Sequence, residues 1–247
     1  MKYFAKIKYL GTAFSGFQVQ PDKRTVQGEL CRAMNEVFGG NTKVTGCSRT
    51  DSGVHANEFC ITVETSGGTV PCDKLPLAIA RFLPEDISLF YAKECDESFH
   101  PRYDVVGKEY LYRIYNAKIA DPFEYGRSWF LPRLIDEDGI EKMRAAASHL
   151  IGQHDFSAFM AAGSDVLDTV RTVDYITLQR VGEIIEIRIH ANGFLYNMVR
   201  IIVGTLTEVA HGRFSPDDVR DILRSRDRKN AGMTAPPEGL YLNRVDY

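Results

Sequence analysis

Segments with a two-residue apolar period alternate along this chain with single amphipathic helices, and the sequence runs through that rhythm twice. Lys2 to Tyr9 sets Tyr3, Ala5, Ile7 and Tyr9 against Lys2, Lys6 and Lys8, which is the pattern of a half-buried strand. Thr25 is placed to cap a helix with the apolar stripe Val26, Leu30, Ala33, Met34 and Val37, stopping at Gly39-Gly40. Strands are expected at Lys43 to Cys47, Phe59 to Glu64 and Ile87 to Glu94, with a helix from Leu75 to Phe82 that ends before Pro84. The second half follows with a strand at Lys108 to Tyr115, a helix at Glu137 to Leu150, and strands at Val170 to Leu178 and Glu183 to His190. An apolar helix then runs from Leu195 to Ala210, Ser215-Pro216 with Asp218 opens a last helix, and Gly239 to Tyr247 closes as a strand. Without a close sequence repeat, the expectation is an α+β protein of two similar domains, 1–104 and 105–247, each an antiparallel sheet with packed helices.

Composition narrows the class. The 247 residues, 44% hydrophobic and 26% charged, suit a globular protein, and there is no apolar run long enough for a membrane span and no signal-like start. A cytoplasmic protein is expected, and the five cysteines lack C-x-x-C spacing, so neither a zinc site nor a disulfide framework is. His55, His154 and His190 do not fall at metal-ligand spacing, and no P-loop or G-x-G-x-x-G occurs. The formal net charge of −3 opposes binding of nucleic acid by bulk charge, leaving a local basic cleft to do so. Basic residues cluster at Lys2, Lys6 and Lys8 and at Arg220, Arg224, Arg226, Arg228 and Lys229, where a solvated helix face is an equal account.

The chemistry concentrates in Ser48-Arg49-Thr50-Asp51-Ser52-Gly53-Val54-His55-Ala56, a small-residue turn between two expected strands. Asp51 there can be a nucleophile, a general base or an anchor for a cation, or a turn aspartate bonding its own backbone; these nine residues alone favour the last. Arg200 lies on a helix that is apolar on nearly every face, so its guanidinium needs either a carboxylate partner, for which Asp51 is the candidate, or a route to solvent. Tyr110 shares a strand face with Tyr112, as core or as a platform for a planar substrate, and Phe194 sits in a turn at a helix start. A hydrolase built on His55 or His154 with a cysteine is a distant alternative, since no G-x-S-x-G is present.

In order, Gly16-Phe17-Gln18-Val19-Gln20, Arg49-Thr50-Asp51-Ser52-Gly53-Val54-His55-Ala56, Lys108-Glu109-Tyr110-Leu111-Tyr112, Gly152-Gln153-His154-Asp155-Phe156, Gly193-Phe194-Leu195 with Met198-Val199-Arg200 and Val203-Gly204, and Gly239-Leu240-Tyr241-Leu242 span nearly the whole chain. Together they resemble the TruA family of tRNA pseudouridine synthases. The Asp51 block and the Met198-Val199-Arg200 block are the specific ones. The chain departs at Pro101, where alanine is common, and at Asn57-Glu58.

The resemblance implies that Asp51 is the nucleophile, that Arg49 displaces the target nucleotide and holds it out, that Tyr110 stacks on the flipped base and that Arg200 pairs with Asp51. Phe194 and His55, in the same blocks, are expected to contact substrate. It further implies two domains around a central positively charged cleft, a homodimer without cofactor or metal, and uridines 38 to 40 of the tRNA anticodon arm as substrate. Moving uracil from an N1 to a C5 linkage requires an extruded base. Attack on the ribose anomeric carbon, attack on the uracil ring, and proton abstraction to a glycal all remain compatible with an aspartate. A non-catalytic tRNA-binding or RNA-folding module of the same fold is the alternative function.

Overall fold

The structure, a computed structural model, describes residues 1–163 and 166–247. In chain order its principal elements are β1 (Lys2–Tyr9), α1 (Val26–Phe38), β2 (Thr42–Gly46), β3 (His55–Thr65), α2 (Leu75–Ala80), β4 (Ile87–Glu94), β5 (Gly107–Tyr115) and β6 (Trp129–Phe130). There follow α3 (Glu137–Ser148), β7 (Gly152–Asp155), β8 (Val170–Val181), β9 (Ile184–Ala191), α4 (Met198–Ala210), α5 (Pro216–Ser225) and β10 (Leu240–Asp246). The chain divides into two compact units, Met1–Val106 with Tyr241–Tyr247, and Gly107–Leu240.

In the first unit β1 pairs antiparallel with β3 on one side and β4 on the other. On its far edge β3 takes β2 antiparallel along Ile61–Thr65 and β10 parallel at His55 and Ala56. The expected helix cap is present, because the Thr25 side chain accepts from the Gly28 amide. Val26, Leu30, Ala33, Met34 and Phe38 form the buried stripe of α1, and the Phe38 ring meets Tyr3 of β1 at 5.4 Å. Helix α2 is shorter than expected: the Phe82 and Leu83 amides both return to the Ile79 carbonyl, tightening the last turn ahead of Pro84.

The second unit runs β5-β9-β8-β7, antiparallel throughout, with the two-residue β6 alongside β5 in parallel. Helix α3 is capped by Asp136, which accepts from Gly139 N, and packs against α4 and α5. Helix α5 carries the full capping box expected of Ser215 and Asp218, with a proline in its first turn. Helix α4 begins at Met198 rather than Leu195. Asn197 holds a left-handed backbone, φ +59°, which a right-handed helix cannot continue through.

Two expectations need correction. The C-terminal strand does not complete the second half: β10 pairs with β3, and the Val106 amide donates to the Asp246 carbonyl, so the last seven residues belong to the first unit. A boundary drawn at 104/105 with everything after it in one domain misses this, because strand pairing ignores chain order. Nor are the sheets purely antiparallel, since β10 and β6 each pair in parallel.

Candidate active site

The Asp51 turn is fixed by the loop that follows β1. Its floor is the Tyr9 hydroxyl, 2.8 Å from Thr50 Oγ1, with both side chains buried. On the near side Thr50 O accepts from Phe17 N at 3.1 Å; on the far side Ser52 Oγ and Gly53 N both donate to Phe14 O, at 3.1 and 3.4 Å. The turn closes on itself through Val54 N to Asp51 O at 3.2 Å. Gly16 makes this docking possible: its φ is +87°, and a Cβ there would fall 2.7 Å from the Thr50 carbonyl oxygen. The Gly16-Phe17 block and the Asp51 block are thus two sides of one interface. Asp51 is half-buried on a backbone bonded on both flanks, and Arg49, two residues earlier, is exposed.

His55 has no exposed surface. Its Nδ1 accepts from the Gly11 amide at 2.8 Å, which places the proton of the neutral ring on Nε2, and its ring stacks on Tyr241 at 4.5 Å. The Gly11 bond ties the start of β3 to the loop that follows β1.

In the second unit Tyr110 and Tyr112 do share a face, and the structure separates their roles. Tyr112 is fully buried, edge-on to Trp129, with Oη donating to Pro236 O at 2.7 Å; burial pushes its pKa well up. Tyr110 retains 8% exposure and meets Phe194 edge-to-face at 4.9 Å. Phe194 is half-exposed, and the Tyr110 ring lies against it.

Arg200 is half-buried on α4 and held by two neighbours. Its Nε donates to Ala235 O at 2.7 Å and its Nη1 to Asn197 Oδ1 at 2.8 Å. The segment 231–235 reaches it only because α4 has Gly204 one turn on, where a Cβ would fall 1.9 Å from the Met233 carbonyl oxygen. Thr205 Oγ1 accepts the Gly232 amide at 3.0 Å and secures the same segment. The Val203-Gly204 end of the motif therefore sets the reach of its arginine. Sequence reasoning missed Asn197 and Ala235; asparagine directly before an apolar helix, a residue tolerant of the left-handed backbone, was the available signal for the first.

The remaining block, Gly152 to Phe156, is structural. Asp155 accepts from Ser157 N and Oγ and from Thr169 Oγ1, and pairs with Arg226 Nε at 3.1 Å. The two basic clusters are largely committed as well: Lys6 pairs with Glu58 at 2.9 Å, Lys2 donates to the Glu97 carbonyl, and Arg220 and Arg224 lie beside Asp217 and Asp221. The cysteines lack the setting of a nucleophile. Cys47 and Cys60 are fully buried next to each other, and burial drives the Cys60 thiol upward, against thiolate formation. Among the described residues no group of three His, Cys, Asp or Glu could hold a metal ion, and no helix is long and apolar enough to cross a membrane.

Known proteins resemble this chain over nearly its whole length. The pattern of the family described as tRNA pseudouridine synthase matches residues 5–104 and 146–247, taking in Asp51 and Arg200 alike. The chain is 46% identical over 241 residues to the tRNA pseudouridine synthase A of a Thermoanaerobacter species, covering 98% of this chain and 97% of that one. It is 43% identical over 249 residues to the protein of that name from Bacillus pumilus and 41% identical to that from Bacillus subtilis, covering 100% of this chain and 99% of each relative. Among solved structures it aligns with one titled "Crystal Structure of a Cbf5-Nop10-Gar1 Complex" at a TM-score of 0.39 and 11% identity, over 98% of this chain and 58% of that one, too distant to add to the assignment. Two motif-bearing segments, each braced by its own glycine contact, and family agreement over almost the full length lead to one statement: the chain belongs to the tRNA pseudouridine synthase family.

Proposed function

We propose that this protein isomerises uridine to pseudouridine in tRNA, at positions 38 to 40 of the anticodon arm, with Asp51 as the nucleophile. The observation that carries the proposal is the Asp51 turn, a half-buried carboxylate on a backbone bonded on both flanks, inside the block most specific to the family. In the reaction the glycosidic N1–C1′ bond breaks, the freed base rotates, and a C5–C1′ bond forms; the C5 hydrogen leaves as a proton and N1 gains one. No redox partner is required, because product and substrate are isomers. A carboxylate fixed in place serves each of the three routes to the detached base, with much of the advantage coming from position.

The other residues take supporting parts in this proposal. Arg49, an exposed guanidinium beside the turn, holds the displaced strand by its phosphate. Tyr110 and Phe194 receive the flipped uracil. Arg200, oriented by Asn197 and Ala235, serves in this proposal as the basic partner of the Asp51 carboxylate. His55 acts as a positioning residue. With a net charge of −3, the chain needs tRNA to meet locally positive surface, for which two domains about a positive cleft in a cytoplasmic homodimer are the proposed setting.

Incubation with an unmodified tRNA transcript, followed by digestion and nucleoside analysis, tests the function. Pseudouridine mapped to the anticodon arm is the expected result. Tight tRNA binding with unaltered nucleosides would instead favour the non-catalytic RNA-binding module.

A further inference from the structure

Within the first unit a hollow of about 300 Å³ opens beside the Asp51 turn, lined by Gln18, Ser48, Arg49, His100, Arg102 and Tyr103 among others. Arg49 and Arg102 are exposed, and among the described residues neither guanidinium has a hydrogen bond or ion pair. Lys2, Lys6, Arg220 and Arg224 of the two basic clusters, by contrast, each have a partner. Lys43, on the same rim, is already paired with Glu64 at 3.2 Å.

The aromatic wall of the hollow is built rather than incidental. His100 Nδ1 accepts from the amides of both Arg102 and Tyr103, at 3.1 and 3.3 Å, and the His100 amide donates to Asp104 Oδ2 at 2.8 Å. The turn is pinned from behind by the Tyr247 hydroxyl on the Pro101 carbonyl at 2.7 Å. Tyr103 lies over His100 at 4.2 Å between ring centroids, yet is 76% exposed. A tyrosine left in water on a braced turn, beside arginines without partners, presents what a ribonucleotide needs: a π-face for the base and a planar fork for the phosphate.

We infer that this hollow is a subsite for a nucleotide flanking the target uridine in the same RNA strand, with Arg102 on its phosphate and Tyr103 against its base. The inference rests on the tRNA function proposed above. Arg49 and Asp51 are two residues apart, so their Cα atoms lie within about 8 Å, a separation that suits neighbouring positions on one strand. The subsite engages only a strand opened from its helix, since bases stacked inside a duplex show no free face.

The test is the equilibrium affinity for an anticodon stem-loop RNA, measured by fluorescence anisotropy across a salt series, for wild type, Arg102→Ala, Tyr103→Ala and Tyr103→Phe. Arg102→Ala is expected to reduce the slope of log affinity against log salt by about one unit. Tyr103→Ala should weaken binding by about fivefold or more, and Tyr103→Phe should recover it, because the ring and not the hydroxyl does the stacking. Both side chains are exposed, so unchanged unfolding midpoints confirm intact proteins. Wild-type slope in Arg102→Ala together with wild-type affinity in Tyr103→Ala would overturn the inference. Equal weakening of Tyr103→Ala toward a base-free polyphosphate would also overturn it, since stacking would then play no part. Failure of the wild type to form pseudouridine, with these differences in RNA binding intact, would strike the proposed isomerase function and leave the subsite standing.

Discussion

Arg200 and Ala235 bind each other twice: Arg200 Nε donates to the Ala235 carbonyl at 2.7 Å, and the Ala235 amide donates to the Arg200 carbonyl at 3.0 Å. The side chain and backbone of one helical residue are thereby tied to one point on an irregular segment. Gly204 is the condition for this, because the Met233 carbonyl occupies the place of its missing Cβ.

Replacing Gly204 with alanine should therefore act on both stability and activity. Overpacking against backbone, which has no rotamer to yield, costs about 1–3 kcal/mol, read from the denaturant midpoint. Turnover on tRNA should fall further than the stability loss explains, as the Ala235 carbonyl is pushed off Arg200. A variant with wild-type turnover would show that the guanidinium does not depend on this brace.

The Tyr9–Thr50 hydroxyl pair makes a similar case for Asp51. Tyr9→Phe strips a buried partner from Thr50 and should cost about 1–3 kcal/mol. A double-mutant cycle with Thr50→Val should show coupling of about 0.5–3 kcal/mol, and misplacement of the adjacent aspartate should lower activity by up to about a hundredfold. Additive effects in the cycle would mean that the contact carries no energy of its own.

At Tyr110 the ring and the hydroxyl can be separated. If the residue stacks on the flipped base, Tyr110→Phe keeps kcat/KM within about tenfold, whereas Tyr110→Ala loses the stacking worth about 1–3 kcal/mol along with packing against Phe194. A Phe variant as impaired as the Ala variant would assign the hydroxyl a chemical part.

Asp155 sets a pH dependence. Burial works against its ionisation, but the bonds from Ser157 and Thr169 and the Arg226 charge outweigh that and hold its pKa below the usual carboxylate value. A depressed pKa contributes stability that is present above the unfolded-state value, about 3.9, and is lost as pH falls through the native value. Asp155→Asn should accordingly be less stable than wild type at pH 7, with the gap closing in acid. Unfolding midpoints at neutral and acidic pH read this directly; a gap that widened in acid would refute it.

Periodicity made most of the elements legible, since β1, α1, β4, α3, α5 and the paired strands β8 and β9 follow from which residues must be buried. It could not reveal β7, whose Gly-Gln-His-Asp has no apolar alternation, or the return of β10 to the first unit, because pairing partners are chosen in three dimensions. For the candidate site, residue type and motif order picked out Asp51, Arg49, Tyr110 and Arg200 as chemistry-bearing. The braces were hidden: the glycine contacts at Gly16 and Gly204, the Asn197 backbone and the enclosure of His55 depend on distances that a linear pattern does not carry.

The most direct measurement is tritium release from tRNA carrying uridine labelled at C5, compared between wild type and Asp51→Asn, because the new carbon–carbon bond must expel that hydrogen. The account predicts release by the wild type and none by Asp51→Asn at undiminished tRNA binding. Release by Asp51→Asn, or none by a tRNA-bound wild type, would contradict it.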